Sequence, residues 1–165
     1  MTQRKIIMSV FGAALIGVTA LYAQRSVESN LAYPAGFRKW VHIKTVLVGP
    51  QSPGFSDSGG IHHVYANAKA MEGYETGKFP DGAIFVFDLL EAKETNGVTV
   101  EGTRRRVDVM VKDAKRFSSS GGWGFERFLG DGETDRPLTE ESRAQCFNCH
   151  EQVKARDFVF SQYRN

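Results

Sequence analysis

The sequence predicts an α+β domain that is mainly β, an antiparallel sheet carrying a few helices, and three segments lead to that reading. In residues 83–90 (AIFVFDLL), Phe85, Phe87 and Leu89 alternate with Ile84, Val86 and Asp88. In residues 107–112, Val107, Val109 and Val111 alternate with Asp108, Met110 and Lys112, and in residues 123–129 (WGFERFL) Trp123, Phe125 and Arg127 oppose Glu126 and Phe128. Both faces of the first segment are largely apolar, which predicts a central strand.

The remaining elements follow in chain order. Pro34 suits a first helical turn, and Phe37, Trp40, Val41 and Lys44 recur at helical spacing, so a short helix burying Phe37 and Trp40 is expected. Residues 49–60, rich in Gly, Pro and Ser, read as a surface loop. Residues 61–66 look extended; Asn67 then caps a helix running to about Thr76, and Gly77 ends it in a left-handed turn. Phe79-Pro80-Asp81-Gly82 is a tight turn, and Thr95-Asn96-Gly97 a hairpin turn. Arg104-Arg105-Arg106 reads as a solvated strand end, with an anion site as the alternative. Thr139 caps a last helix that carries Arg143, Cys146, Cys149 and His150.

Chain organisation and charge narrow the class further. Arg4 and Lys5 precede an uncharged stretch, residues 6–23, that ends in small residues, so residues 1–23 read as a secretory signal and residues 24–165 as one exported domain. An uncleaved membrane anchor is the alternative, because 18 residues lie at the lower limit for a span. The chain has 21 basic and 19 acidic residues; losing the leader leaves 19 of each, which excludes the basic excess of a nucleic-acid binder. An exported domain is expected in the periplasm or an equivalent oxidising compartment, and two cysteines are too few for a disulfide scaffold.

Those two cysteines form the most specific motif in the chain. Cys146-Phe147-Asn148-Cys149-His150 is C-x-x-C-H, the attachment sequence of a c-type haem. One helical turn presents two thiols to two vinyl groups, and the adjacent imidazole becomes the proximal iron ligand. A redox C-x-x-C is expected near the start of a βαβ unit rather than near the end of a β-rich chain. A zinc site needs about four ligands, and beyond the motif only His42, His62 and His63 are ordinary candidates. A structural disulfide leaves His150 unexplained. One covalent haem c per chain is therefore expected, held by Cys146, Cys149 and His150.

The second axial position stays open in the sequence. Met71 on a helix and Met110 on a strand are the methionines outside the leader that an electron-transfer cytochrome would use, and core packing is the alternative role for each. His62 and His63 sit on opposite sides of a short strand, so one at most faces a pocket at that point.

The β-rich pattern, the C-terminal C-x-x-C-H and the strings Phe37-Arg38-Lys39-Trp40-Val41, His63-Val64-Tyr65-Ala66-Asn67, Phe79-Pro80-Asp81-Gly82 and Trp123-Gly124-Phe125-Glu126-Arg127-Phe128 together resemble the cytochrome P460 family. That family includes the β-sheet cytochromes c′, or cytochromes c′-β. The resemblance implies a homodimer with one haem c whose iron is held by His150 and otherwise open. Two activities occur on the fold. The hydroxylamine-oxidising members carry a lysine five residues after the glycine of the F-x-D-G turn and cross-link it to the haem; counting from Gly82 places Phe87 there, which has no nucleophilic nitrogen. The cytochromes c′-β cap the distal pocket with phenylalanine and bind nitric oxide and carbon monoxide, a role the resemblance gives to Phe87, with Phe85 the weaker candidate. The gas-binding branch is therefore the expected one. Its rivals are an oxidoreductase of hydroxylamine or nitric oxide, with Asp108 and His62 as proton-handling groups, and a periplasmic electron-transfer cytochrome with a redox partner.

Overall fold

The structure, a computed structural model, describes residues 30–164; the leader lies outside the described residues. Among these residues five strands form a single antiparallel sheet in the order β1-β2-β3-β4-β5: β1 Val41–Val48, β2 Gly60–Ala66, β3 Ile84–Thr95, β4 Val98–Lys112 and β5 Trp123–Leu129. Each strand pairs with its chain neighbours, so the sheet is a meander with β3 at its centre, as its two apolar faces require. Among the described residues three α-helices accompany it, α1 Phe55–Ser58, α2 Ala68–Thr76 and α3 Glu140–Glu151.

Helix ends follow local chemistry. Asn67 accepts the Ala70 N–H at 2.9 Å as the α2 cap, and Gly77 closes the helix at φ 74°, a conformation glycine adopts without a Cβ clash. The Asn67 carboxamide also accepts the Ile84 N–H and donates to the Gly82 carbonyl, tying the helix start to the F-P-D-G turn. Thr139 caps α3 by accepting the Ser142 N–H. Asn96 and Gly97, at φ 54° and 76°, form the two-residue turn between β3 and β4.

Three expectations are corrected. The helix over Phe37, Trp40, Val41 and Lys44 is one 3-10 turn, Phe37–Lys39, after which the chain extends into β1. The β-branched residues Val41, Thr45, Val46 and Val48 pair with β2, with Ile43 at a bulge between His42 and Lys44, and that ladder overrides a coincidental helical spacing. The 49–60 loop contains the single turn α1 and ends inside β2. The strand expected to stop at Leu90 continues to Thr95, and β3 and β4 project past the sheet as an exposed two-stranded arm, offset by bulges between Leu89 and Ala92.

The two sheet faces bury separate clusters. On one, Phe85, Met110, Trp123 and Phe125 pack with Ala70 of α2 and with Phe158 and Val159, and Cys146 and Phe147 of α3 lean on this group. On the other, Val86, Val107, Val109 and Phe128 are covered by Tyr33, Phe37 and Trp40. Asp88, fully buried on that second face, is held by Arg104 Nε at 2.6 Å and Arg38 Nη2 at 2.7 Å.

This arrangement corrects the reading of the arginine run. Arg104 pairs with Asp88 and Asp131, Arg105 donates to the Gly59 and Ser56 carbonyls, and Arg106, only 8% exposed, pairs with Asp57 and Asp108. Neither a solvated end nor an anion site describes three guanidinium groups engaged by the chain's own carboxylates and carbonyls.

Candidate functional site

Helix α3 lies against β5, and its C-x-x-C-H segment opens onto a cavity of about 500 Å³ between the helix and the first sheet face. A cavity of that size is in the range that holds a cofactor. Cys146, Cys149 and His150 form its helical wall; Phe87, Met110 and Phe125 form an apolar wall on β3, β4 and β5. Asp57 and Ser58 of α1 reach its rim.

The imidazole of His150 is held on three sides. Its Nδ1 lies 2.7 Å from the Phe158 carbonyl oxygen, and its ring centroid is 5.1 Å from Phe125 and 5.0 Å from Phe160. A backbone carbonyl accepts only, so Nδ1 carries the proton and Nε2 keeps its lone pair for a metal. Burial pushes the His150 pKa below the ordinary histidine value, against the opposing pull of the Phe158 hydrogen bond. Cys146 and Cys149 are free thiols. Burial, then the nearby Asp108 carboxylate, raises the Cys146 pKa, while Cys149 is exposed.

The polar wall is matched internally. Asp108 is bonded by Arg127 Nε at 2.5 Å and Arg106 Nε at 2.9 Å; Asp57 accepts from Arg106, and Glu126 from Arg143 at 3.0 Å. Burial works against the Arg127 charge, and the hydrogen bond and charge of Asp108 outweigh it, holding the guanidinium above its ordinary pKa. Each of the three carboxylates lining the cavity therefore has an arginine partner.

The sequence-derived candidates divide cleanly. Cys146, Cys149, His150, Phe87 and Asp108 meet at the cavity. Phe85 does not line it: the ring is 1% exposed, packed edge-on against Phe79 and Tyr74 and tilted against Trp123, because two residues along β3 carry it one pleat deeper. His62 is on the cavity's side of the sheet but is occupied by the Ser58 carbonyl at 2.5 Å, and His63 faces the other way, toward Glu101 and Thr45. Met110 lines the cavity, whereas Met71 lines a separate cleft with Tyr74 and Tyr163. Sequence reading missed Arg106 and Arg127 as partners of Asp108 and the aromatic sandwich on His150. The alternation that put Asp108 and Arg127 each on a defined strand face was the available signal, but it needed the β4–β5 register to join them.

A five-stranded antiparallel meander with a C-terminal helix presenting two free thiols and an oriented imidazole to a cofactor-sized cavity defines a mainly β haem protein. Residues 34–161 match the family model Cytochrome P460, and the chain belongs to that family. A search of curated proteins finds no match. Membership implies a haem cofactor, and the residues at the cavity suit one: the thiols are unpaired, Nε2 of His150 is available, and Phe87, Met110 and Phe125 give the facing wall an apolar half.

Proposed function

We propose that the protein is an exported mono-haem cytochrome that binds nitric oxide, or another small uncharged gas, at a five-coordinate iron under a cap formed by Phe87. In this reading Cys146 and Cys149 carry the covalent haem c and His150 ligates the iron through Nε2. The haem supplies an iron with an open position for a diatomic ligand. The chain's own residues set the selectivity. Phe87, Met110 and Phe125 present apolar surface that excludes water and offers no hydrogen bond to a polarised ligand.

The observation that carries the proposal is Phe87 on the cavity wall, at the position where hydroxylamine-oxidising relatives of this fold keep a cross-linking lysine. The internally paired Asp108 adds support, because both its oxygens already accept from guanidinium groups and neither is free to take a substrate proton. Export of residues 24–165 to the periplasm, a redox partner there, and a homodimer for which exposed Leu47, Val98 and Val100 offer apolar surface belong to the same proposal. Among the described residues, no helix is long and apolar enough to cross a membrane.

Absorption spectra of the purified protein with and without nitric oxide test it. A high-spin ferric spectrum and stoichiometric nitric oxide binding are expected. A strongly red-shifted Soret band, as in a lysine-modified haem, or turnover of hydroxylamine would overturn it. Met110 on the cavity wall favours a second reading, a His/Met electron-transfer site. That reading predicts a low-spin ferric spectrum that Met110→Leu converts to high-spin.

A further inference from the structure

The carbonyl that orients His150 sits in unusual backbone. Asp157 and Phe158 are consecutive non-glycine residues at φ 50° and 65°, a left-handed conformation that L side chains disfavour and that persists only where the surroundings impose it. Here the surroundings are a buried ion pair. Lys112, at the end of β4, donates from Nζ to Asp157 Oδ1 at 2.8 Å and to the Gly121 carbonyl at 3.1 Å, and its ammonium lies 4.8 Å from the Trp123 ring centroid. Asp157 Oδ2 accepts the Phe79 N–H at 2.9 Å, and the Asp157 carbonyl accepts Trp123 Nε1–H at 2.9 Å. Lys112 and Asp157 are 9% and 8% exposed. Side chain and carbonyl of one residue are thus fixed from β4, β5 and the F-P-D-G turn, and the next carbonyl along the chain is the one that meets His150.

Burying a lysine and an aspartate is costly unless both are fully hydrogen-bonded, and an apolar pair would fill the same space more cheaply. What the pair provides beyond packing is direction. We propose that Lys112 and Asp157 are positioning residues for His150: by locking residues 157–158 they aim the Phe158 carbonyl at Nδ1 and so set the strength of the imidazole as an iron ligand. This rests on the reading of His150 as the iron ligand. A firmly held Nδ1–H···O bond makes Nε2 a stronger donor. Without Lys112 Nζ the Asp157 carboxylate keeps one partner, the left-handed residues relax, and the bond to Nδ1 lengthens.

Resonance Raman of the ferrous haem-loaded protein reads this directly through the iron–imidazole stretch. Lys112→Met is expected to move that band to lower frequency, and Lys112→Arg to restore it toward the wild-type position. Trp123→Phe, which removes the bond to the Asp157 carbonyl and trims the ring beside the Lys112 ammonium while leaving the Lys112–Asp157 pair, is expected to give a smaller shift in the same direction and keeps the test decisive should Lys112→Met not fold. Val107→Ala, a cavity in the opposite-face cluster, lowers stability without moving the band. An unmoved band in Lys112→Met, or in Trp123→Phe where that is the variant that folds, overturns the inference while leaving His150 as ligand. A wild-type band in His150→Gly overturns the ligand assignment itself.

Discussion

Phe87 and Asp108 are direct register partners across β3 and β4, so an aromatic ring and a carboxylate stand side by side on the wall that faces Cys146 and His150. The pairing splits that wall into an apolar half, continued by Met110 and Phe125, and an ionic half, continued by Arg127 and Arg106. The apolar half is where a gas ligand is expected to be selected, and the ionic half ties β4 to β5 and, through Asp57, to α1.

Phe87→Ala opens the apolar half. Association of carbon monoxide, followed by flash photolysis, is expected to speed up by about tenfold, equivalent to roughly 1.4 kcal/mol of barrier. The half-buried ring's packing is lost as well, costing about 2 kcal/mol of stability in a urea titration. An unchanged association rate would remove Phe87 from the cap.

Asp108→Asn leaves Arg127 and Arg106 facing a neutral amide. A loss of about 2 kcal/mol in chemical denaturation is expected, with haem content unchanged. Wild-type stability in this variant would show the two ion pairs to be solvated.

Most of the fold was legible in the sequence because the alternating segments are long and their turns carry the residues their φ values need. Asn67, Gly77, Asn96 with Gly97, and Thr139 all act where capping and turn chemistry put them. The failure at Val41 came from a four-residue coincidence of spacing that only pairing with β2 could overrule. Within the site, the motif Cys146, Cys149 and His150 is contiguous and so was readable, whereas Arg127 reaches Asp108 from β5 and Asp57 reaches Arg106 from α1, contacts that needed the register and the chain's return. Lys112 and Asp157 are 45 residues apart, and nothing local to either announces the other.

Asn67→Ala deletes a helix cap and two bonds to the turn at Gly82 and Ile84. A cost of about 2 kcal/mol is expected in a urea titration, with the absorption spectrum of the folded protein unchanged. A spectral change would mean that α2 helps shape the haem site.

The two thiols are expected to react unequally in chain produced without haem. Cys149 is exposed and Cys146 has its pKa raised, first by burial, so iodoacetamide near pH 8 should label Cys149 faster, with the gap narrowing as pH rises. Peptide mapping by mass spectrometry reads the ratio, and equal rates would contradict the burial of Cys146.

The same two shifts set a pH window for the haem-free fold. His150, lowered by burial, contributes stability above its ordinary pKa of about 6.5 that is lost as pH falls through that range. Cys146, raised, contributes stability below about 8.5 that declines as pH climbs past it. Melting temperatures are expected to peak between these limits, and a flat profile would contradict the assignment.

The central claim, a haem bound covalently through Cys146 and Cys149, is tested most directly by the intact mass of the exported protein purified under denaturing conditions. The account predicts a polypeptide starting near residue 24 plus one haem, and its loss in the Cys146→Ala, Cys149→Ala double variant. A mass equal to the bare polypeptide would contradict it.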